Sequence, residues 1–270
     1  MTELQTKYEN LKQSLAGLGK VAVAYSAGVD STLLLQAAVD ALGKENVLAV
    51  TAKLVSFPER EFGEAFDFCK ENQIAHEIVE ADQLSVPGFK MNPPDRCYLC
   101  KKHLFTGMIN RAAELGFTEV AEGSNVDDLS DYRPGMKAIA ELGVHSPLRE
   151  AGLYKADIRA LSKELGLPTW SKPSLACLAT RFPYGEELTA EKIRMVDDAE
   201  GYLFDRGFHQ VRVRYHGDLA SVEVGADELP KLLEPETWAE ADARLKELGF
   251  RTVTADPRGY RTGSMNETIK

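Results

Sequence analysis

Residues 25–33 read YSAGVDSTL, with Ser26, Ala27, Gly28, Asp30 and Ser31 set between an apolar run and a helical pattern. The run that leads in, KVAVAYS at 20–26, is a short strand. From about Val29 onward Leu33, Leu34, Ala37, Ala38 and Ala41 recur at helical spacing, and Gly43 stops the helix. A strand that ends in small residues and turns straight into a helix presents several backbone N–H groups to one point. The helix dipole adds partial positive charge there. Ser26 and Ser31 add hydroxyl donors, and Gly28 lets the chain approach a bulky anion closely. The stretch is a phosphate cradle. It is neither GxxxxGK[ST], since no lysine follows the glycine, nor GxGxxG.

Working outward, residues 3–17 form an amphipathic helix on Leu4, Tyr8, Leu11 and Leu15. NVLAVTA is a second strand, and Glu59 to Asn72 a helix with Phe62, Phe66 and Cys69 on one face. HEIVEA is a third strand, Cys97 to Leu115 a helix, TEVAEGS a fourth strand, and Tyr154 to Leu165 a further helix. Strands alternating with helices predict an α/β domain with a mostly parallel sheet. Ligands of such sheets sit at the carboxyl ends of the strands, where Ser26, Thr51 and Gly123 fall. After PYGEEL the pattern changes to α-β-β-α-β. The expected boundary lies near Gly185, giving a domain at 1–184 and a smaller α+β domain at 185–270.

The chain has 270 residues, 44% of them hydrophobic, and a formal net charge of −10. No apolar run approaches the ~18 residues needed to span a bilayer, and the charged first residues carry no signal-peptide core. A net-negative chain without a Lys/Arg-rich arm argues against a nucleic-acid substrate and for a small molecule. Four cysteines do not make a disulfide scaffold at this length; they suit a reducing, cytoplasmic setting, where paired cysteines bind metal or do redox chemistry.

Cys97 and Cys100 in PPDRCYLCKKHLF share one face at the start of a helix. Its N-terminus, with Arg96, Lys101 and Lys102 nearby, favours thiolate, which is both metal ligand and nucleophile. The third partner is Cys177, in the loop WSKPSLACLATRFPYG at 170–185, where Lys172 and Arg181 add positive charge for phosphate or carboxylate. Cys69 sits at core spacing and reads as packing. Three thiolates admit several chemistries. Zinc could take them with His103; an iron–sulfur cluster could take three and leave one iron open; Cys177 could itself donate or shuttle sulfur.

The opening loop resembles the SGGxDS signature of PP-loop ATP pyrophosphatases, which cleave ATP to AMP and pyrophosphate. Ser26, Gly28, Asp30 and Ser31 match, and Ala27 departs from the usual second glycine. GSNVDDLSDYRPGMKA (123–138), KPSLACLATRFPYG, VRVRYH (211–216) and GYRTGSMNE (259–267) extend the resemblance over nearly the whole chain, to the LarE-like ATP-dependent sulfur transferases, the pyridinium-3,5-bisthiocarboxylic acid mononucleotide synthases. These act in making a nickel-pincer cofactor. The resemblance implies ATP at Ser26, Gly28, Asp30 and Ser31, with Lys101 and Gly123 as further nucleotide contacts and Mg²⁺ on Asp30. It implies a pyridinium mononucleotide substrate whose phosphate meets Arg212 and Arg214, with Arg181 also on the substrate. Arg212 and Arg214 alternate with Val211 and Val213, so both point to one face of a strand. A homo-oligomer is implied as well.

The chemistry follows from the poor reactivity of a carboxylate. AMP transfer makes a mixed anhydride as pyrophosphate leaves; a sulfur nucleophile then displaces AMP and leaves a thiocarboxylate. Some members sacrifice the loop cysteine as sulfur source and lack the C-x-x-C pair. This sequence has the pair, which favours the second scheme, in which Cys97, Cys100 and Cys177 hold a 4Fe-4S cluster whose open iron carries the sulfide. Three rivals remain: a tRNA thiolase, which the acidic charge opposes; an amide-forming ligase of the same superfamily, which needs no cysteines; and a non-enzymatic nucleotide-binding module.

Overall fold

The computed structural model describes residues 2–130, 134–173 and 176–261. Positions 131–133 of the GSNVDDLSDYRPGMKA motif, Ser174 and Leu175 of the cysteine loop, and 262–267 of the GYRTGSMNE motif lie outside the described residues.

By packing, the chain divides into one unit of 1–87 with 95–175 and a second of 88–94 with 176–270. The expected boundary at Gly185 lies inside the second unit.

The first unit runs α1 (Glu3–Ala16), β1 (Val21–Ala24), α2 (Val29–Leu42), β2 (Val47–Lys53), α3 (Glu59–Glu71), β3 (Ala75–Glu80), α4 (Arg96–Glu114), β4 (Glu119–Ala121), α5 (Gly135–Glu141), α6 (Pro147–Glu150) and α7 (Lys155–Glu164). Its strands form one parallel sheet in the order β3-β2-β1-β4. β1 and β2 are buried on both faces, with alternate residues serving opposite cores, whereas the edge strand β3 is partly exposed along its length. Val21, Val23, Val47 and Ala49 join Leu11, Leu15, Leu33 and Leu34 on one side. Ala22, Leu48 and Val50 join Phe105, Met108 and Val120 on the other. Burying each such Leu or Phe stabilises the fold by ~1.5–3 kcal/mol. Thr2 and Gln5 cap α1 reciprocally. One expectation changes on α3: Ala65 and Cys69 turn inward, while Phe66 is 47% exposed.

The second unit holds α8 (Ala190–Asp205), β5 (Val211–His216), β6 (Leu219–Val224), α9 (Leu229–Leu232), α10 (Pro235–Glu247) and β7 (Thr252–Ala255). Its sheet is ordered β5-β6-β7, with β5/β6 antiparallel and β6/β7 parallel. The segment 88–94 belongs here because Asn92, fully buried, donates its amide to Phe182 O (3.1 Å) and Pro183 O (2.8 Å).

No helix among the described residues is long and apolar enough to cross a membrane.

Candidate functional site

In the first sheet the strand order reverses direction at β1, which has β2 on one side and β4 on the other. The carboxyl ends of β1 and β4 therefore splay apart into a crevice. A cavity of about 330 Å³ opens there, lined by Ser26, Gly28, Asp30 and Ser31 of the loop, Thr51 of β2, Glu122 to Asn125 after β4, Lys101 of α4 and Lys155 of α7.

The loop is ordered by its own hydroxyls. Ser31 Oγ accepts the Ser26 N–H at 3.2 Å and donates to Gly28 O at 3.2 Å, and Ser26 Oγ lies 3.2 Å from it. Gly28 is the N-cap of α2 and makes no side-chain cap, so the first N–H groups of the helix remain available to a ligand. A Cβ on Gly28 would make only ordinary contacts, the nearest 3.4 Å away. The fold itself does not require glycine here, in keeping with a requirement set by a ligand. Ala27, at the departure from the family glycine, adopts φ +52°, a left-handed conformation costing a non-glycine residue about 1–2 kcal/mol; its carbonyl accepts from Lys172 Nζ at 3.1 Å. Gly123 has a firmer reason to be glycine, since a Cβ would lie 3.2 Å from Ser31 N and 3.3 Å from Asp30 Cβ.

Asp30 is held at both oxygens. Oδ1 accepts from Asn125 Nδ2 at 3.1 Å, and Oδ2 is ion-paired with Lys155 Nζ. Its carboxylate lines the cavity beside the helix start and is partly exposed, a donor placement that fits Mg²⁺. Lys155 escapes the sequence reading, its signal being position at the start of a helix; Asn125 lies within the 123–138 motif but is not singled out there. Lys101 borders the same cavity, with Nζ 3.9 Å from buried Glu122. Glu122 also accepts from Ser124 N–H, Ser124 Oγ and Ser146 Oγ at 3.1, 2.8 and 2.7 Å.

Cys97 and Cys100 lie on the first turn of α4, Cys97 exposed and Cys100 half-buried, with Gln83 Nε2 donating to Cys100 Sγ at 3.1 Å. Cys69 is buried in the first core, where burial pushes its thiol up to about 12. Cys177 belongs to the second unit, exposed at the start of a short turn over 178–181. Within either unit, no group of three or more His, Cys, Asp or Glu side chains among the described residues is placed to hold a metal ion.

Beneath the Cys177 turn lies a buried ionic cluster. Arg181, fully buried, donates from Nε and Nη2 to the two oxygens of Glu200, both at 2.8 Å. Its Nη1 donates to Ala176 O at 2.6 Å, Thr180 Oγ1 at 3.0 Å and Cys177 O at 3.3 Å. The fork of Arg181, expected on the substrate, is engaged by Glu200 and the turn. Burial opposes its charge, but Glu200 more than restores it and raises its pKa. Arg214 donates to Glu223 Oε2 at 2.8 Å and to Thr180 O at 3.2 Å. Arg212, 2% exposed, donates to Val211 O at 2.6 Å and stacks over the Tyr260 ring at 5.1 Å. Burial first, and the neighbouring charge of Arg181 second, push Arg212 down to about 10. Glu200 thus pairs with Arg181 and Glu223 with Arg214, and Glu200 and Tyr260 partly offset the burial and the Arg181 charge that depress Arg212.

No protein-family model matches the chain. An uncharacterised protein of Synechocystis sp. is 41% identical over 266 residues, covering 98% of this chain and 99% of that one. The pyridinium-3,5-bisthiocarboxylic acid mononucleotide synthase of Lactiplantibacillus plantarum is 40% identical over 269 residues, covering 100% of this chain and 97% of that enzyme. One component of the glutamine-hydrolysing GMP synthase of Thermoplasma volcanium is 27% identical over 180 residues, 61% of this chain and 56% of that component.

Proposed function

The chain belongs to the LarE-like family of ATP-dependent sulfur transferases, and on that premise we propose that it adenylates a carboxylate of a pyridinium dicarboxylate mononucleotide and converts it to a thiocarboxylate. The observation that carries this reading is the buried arginine cluster beneath Cys177: a thiol set on a turn that Arg181 ties down, with the guanidinium groups of Arg212 and Arg214 buried in the same unit. Arg212 and Arg214 bind the phosphate of the mononucleotide, because a guanidinium binds phosphate bidentately.

In the first unit, the bare start of α2, in the loop that Ser26 and Ser31 order at Gly28, holds the phosphates of ATP, Asp30 holds Mg²⁺, and Lys155 and Lys101 supply cationic charge. Attack of the substrate carboxylate on the α-phosphorus forms the P–O bond of an acyl-adenylate as the bond to pyrophosphate breaks. A sulfur nucleophile then attacks the acyl carbon and AMP departs with the electron pair of the C–O bond. The donor set, three cysteines outside any disulfide, suits an iron–sulfur cluster in its chemistry. Bound at Cys97, Cys100 and Cys177, a 4Fe-4S cluster would supply sulfide to the activated carboxylate. The exposure of Cys177 on its turn favours a second source, the thiol of Cys177 itself. A cytoplasmic homo-oligomer, with the second unit binding substrate and contributing contacts, completes the proposal.

The test is pyrophosphate release from Mg²⁺-ATP with and without the pyridinium dicarboxylate mononucleotide. Release that depends on the mononucleotide supports the reading. Release indifferent to it, or stimulated instead by tRNA or by ammonia, overturns it.

A further inference from the structure

The peptide that joins β1 to the phosphate loop is fixed at both ends. The Tyr25 carbonyl accepts from Thr51 Oγ1 at 2.8 Å, and the N–H of the same peptide, on Ser26, donates to Ser31 Oγ at 3.2 Å. A threonine hydroxyl has one proton to give. Thr51 gives it to Tyr25, so the 2.8 Å contact between Thr51 Oγ1 and His76 Nε2 carries the proton of the imidazole. That assigns His76 the Nε2–H form. Ser31 in turn gives its proton to Gly28 O, so Ser26 is the donor in the contact between the two serine hydroxyls. One directed chain of hydrogen bonds runs from His76 on β3 to the Gly28 carbonyl. It sets the direction of the Thr51, Ser26 and Ser31 hydroxyl protons. Thr51 is 1% exposed, and the His76 ring is held edge-on to Tyr25 at 6.5 Å and tilted against Phe66 at 6.4 Å. Thr51 lines the cavity; the histidine reaches the loop only through it.

We propose that His76 is a positioning residue of the nucleotide site: through Thr51 it sets the plane of the Tyr25–Ser26 peptide, and with it the place of Ser31 Oγ and of the Gly28 turn from which the uncapped N–H groups of α2 meet the phosphates. The inference rests on the reading of this loop as the ATP site. Both neutral Nε2–H imidazole and imidazolium donate at Nε2, so the sense of the chain survives protonation.

The test is MgATP affinity by calorimetry for the wild type, His76→Gln, His76→Phe, Thr51→Val, Thr51→Ser and the double variant His76→Phe/Thr51→Val. Gln keeps an N–H donor at similar reach and Ser keeps the hydroxyl; both retain most of the wild-type affinity. His76→Phe and Thr51→Val each lose about tenfold, the effect of one buried hydrogen bond. The double variant is no weaker than Thr51→Val alone, since both act through one chain. Wild-type affinity in His76→Phe overturns the proposal, as does His76→Gln binding as weakly as His76→Phe, or additive losses in the double variant. Should Thr51→Val fail to fold, the comparison of Gln with Phe at 76 decides alone. A wild type that binds no MgATP overturns the loop reading and this inference together; one that binds it while ignoring His76 overturns the inference only.

Discussion

Asp30 and Lys155 form an ion pair inside the cavity at the carboxyl edge of the first sheet, joining the start of α2 to the start of α7. The backbone N–H of Lys155 also donates to Asp127 Oδ2 at 2.7 Å, which fixes the start of α7 over the turn after β4. On the proposed function, an Asp30 carboxylate that takes up a divalent cation leaves Lys155 to meet a phosphate, and the pair would couple metal and nucleotide. Asp30→Ala is expected to lower Mg²⁺-dependent pyrophosphate release by about a hundredfold or more, with the circular dichroism spectrum unchanged. Lys155→Met should weaken ATP binding, whereas Lys155→Arg should restore part of it; a Lys155→Met enzyme with wild-type ATP KM removes the lysine from the site.

Arg212 carries its charge against burial and against Arg181, so its pKa is depressed in the fold. The sign follows: the contribution of this group to stability rises as pH climbs through about 10 toward the ordinary arginine value, and below that range its charge costs stability. Arg212→Met should therefore raise the Tm of the ligand-free protein while raising the KM for the mononucleotide far more than that for ATP. Inorganic phosphate should raise the Tm of the wild type and leave that of Arg212→Met unmoved. Equal phosphate stabilisation of both proteins would show that the arginine does not bind it.

Glu200 accepts from Arg181 with both oxygens, and Oε1 accepts the Val213 N–H at 2.8 Å as well. Glu200→Ala strands a buried guanidinium and should destabilise the fold by about 3–5 kcal/mol, measured by urea unfolding. Glu200→Gln, which keeps an acceptor, should lose less. The Cys177 turn hangs from Arg181, so alkylation of Cys177 should change in rate in Glu200→Gln while alkylation of Cys97 stays constant.

Cys97, Cys100 and Cys177 differ from Cys69 in exposure, and the difference predicts a pattern in reconstitution with iron and sulfide under anaerobic conditions. Each of Cys97→Ala, Cys100→Ala and Cys177→Ala should lose the brown chromophore; Cys69→Ala should keep it. A chromophore that survives Cys177→Ala would assign the iron to the Cys97–Cys100 pair alone.

The features legible in the sequence are those written in local spacing. The strand–turn–helix around Ser26 to Ser31, the parallel alternation of strands and helices, and the core position of Cys69 all follow from periodicity and small-residue placement. The cavity also lies at the predicted strand ends, at Ser26, Thr51 and Gly123. What spacing does not carry is tertiary pairing. The sequence reads Arg181 as a cation for phosphate or carboxylate and not as the partner of Glu200, because Glu200 sits on a different element, α8, and only folding brings the fork and the carboxylate together. Lys155 is not singled out in the sequence for the same reason, since its partner Asp30 lies 125 residues away along the chain. On α3, Phe66 shares a helical stripe with Phe62 and Cys69, yet the small Ala65 takes the buried position beside Cys69 and Phe66 turns outward.

The most direct measurement is the mass of both product and protein after anaerobic turnover with Mg²⁺-ATP and the pyridinium dicarboxylate mononucleotide. The expected result is a product in which sulfur has replaced a carboxylate oxygen, formed together with AMP and pyrophosphate, and a chain of unchanged mass when the cluster supplies the sulfide. A chain lighter by one hydrogen sulfide at Cys177 would move the sulfur source to that residue and leave the reaction standing. Pyrophosphate and AMP appearing with a mononucleotide that keeps all its oxygens would contradict sulfur transfer itself.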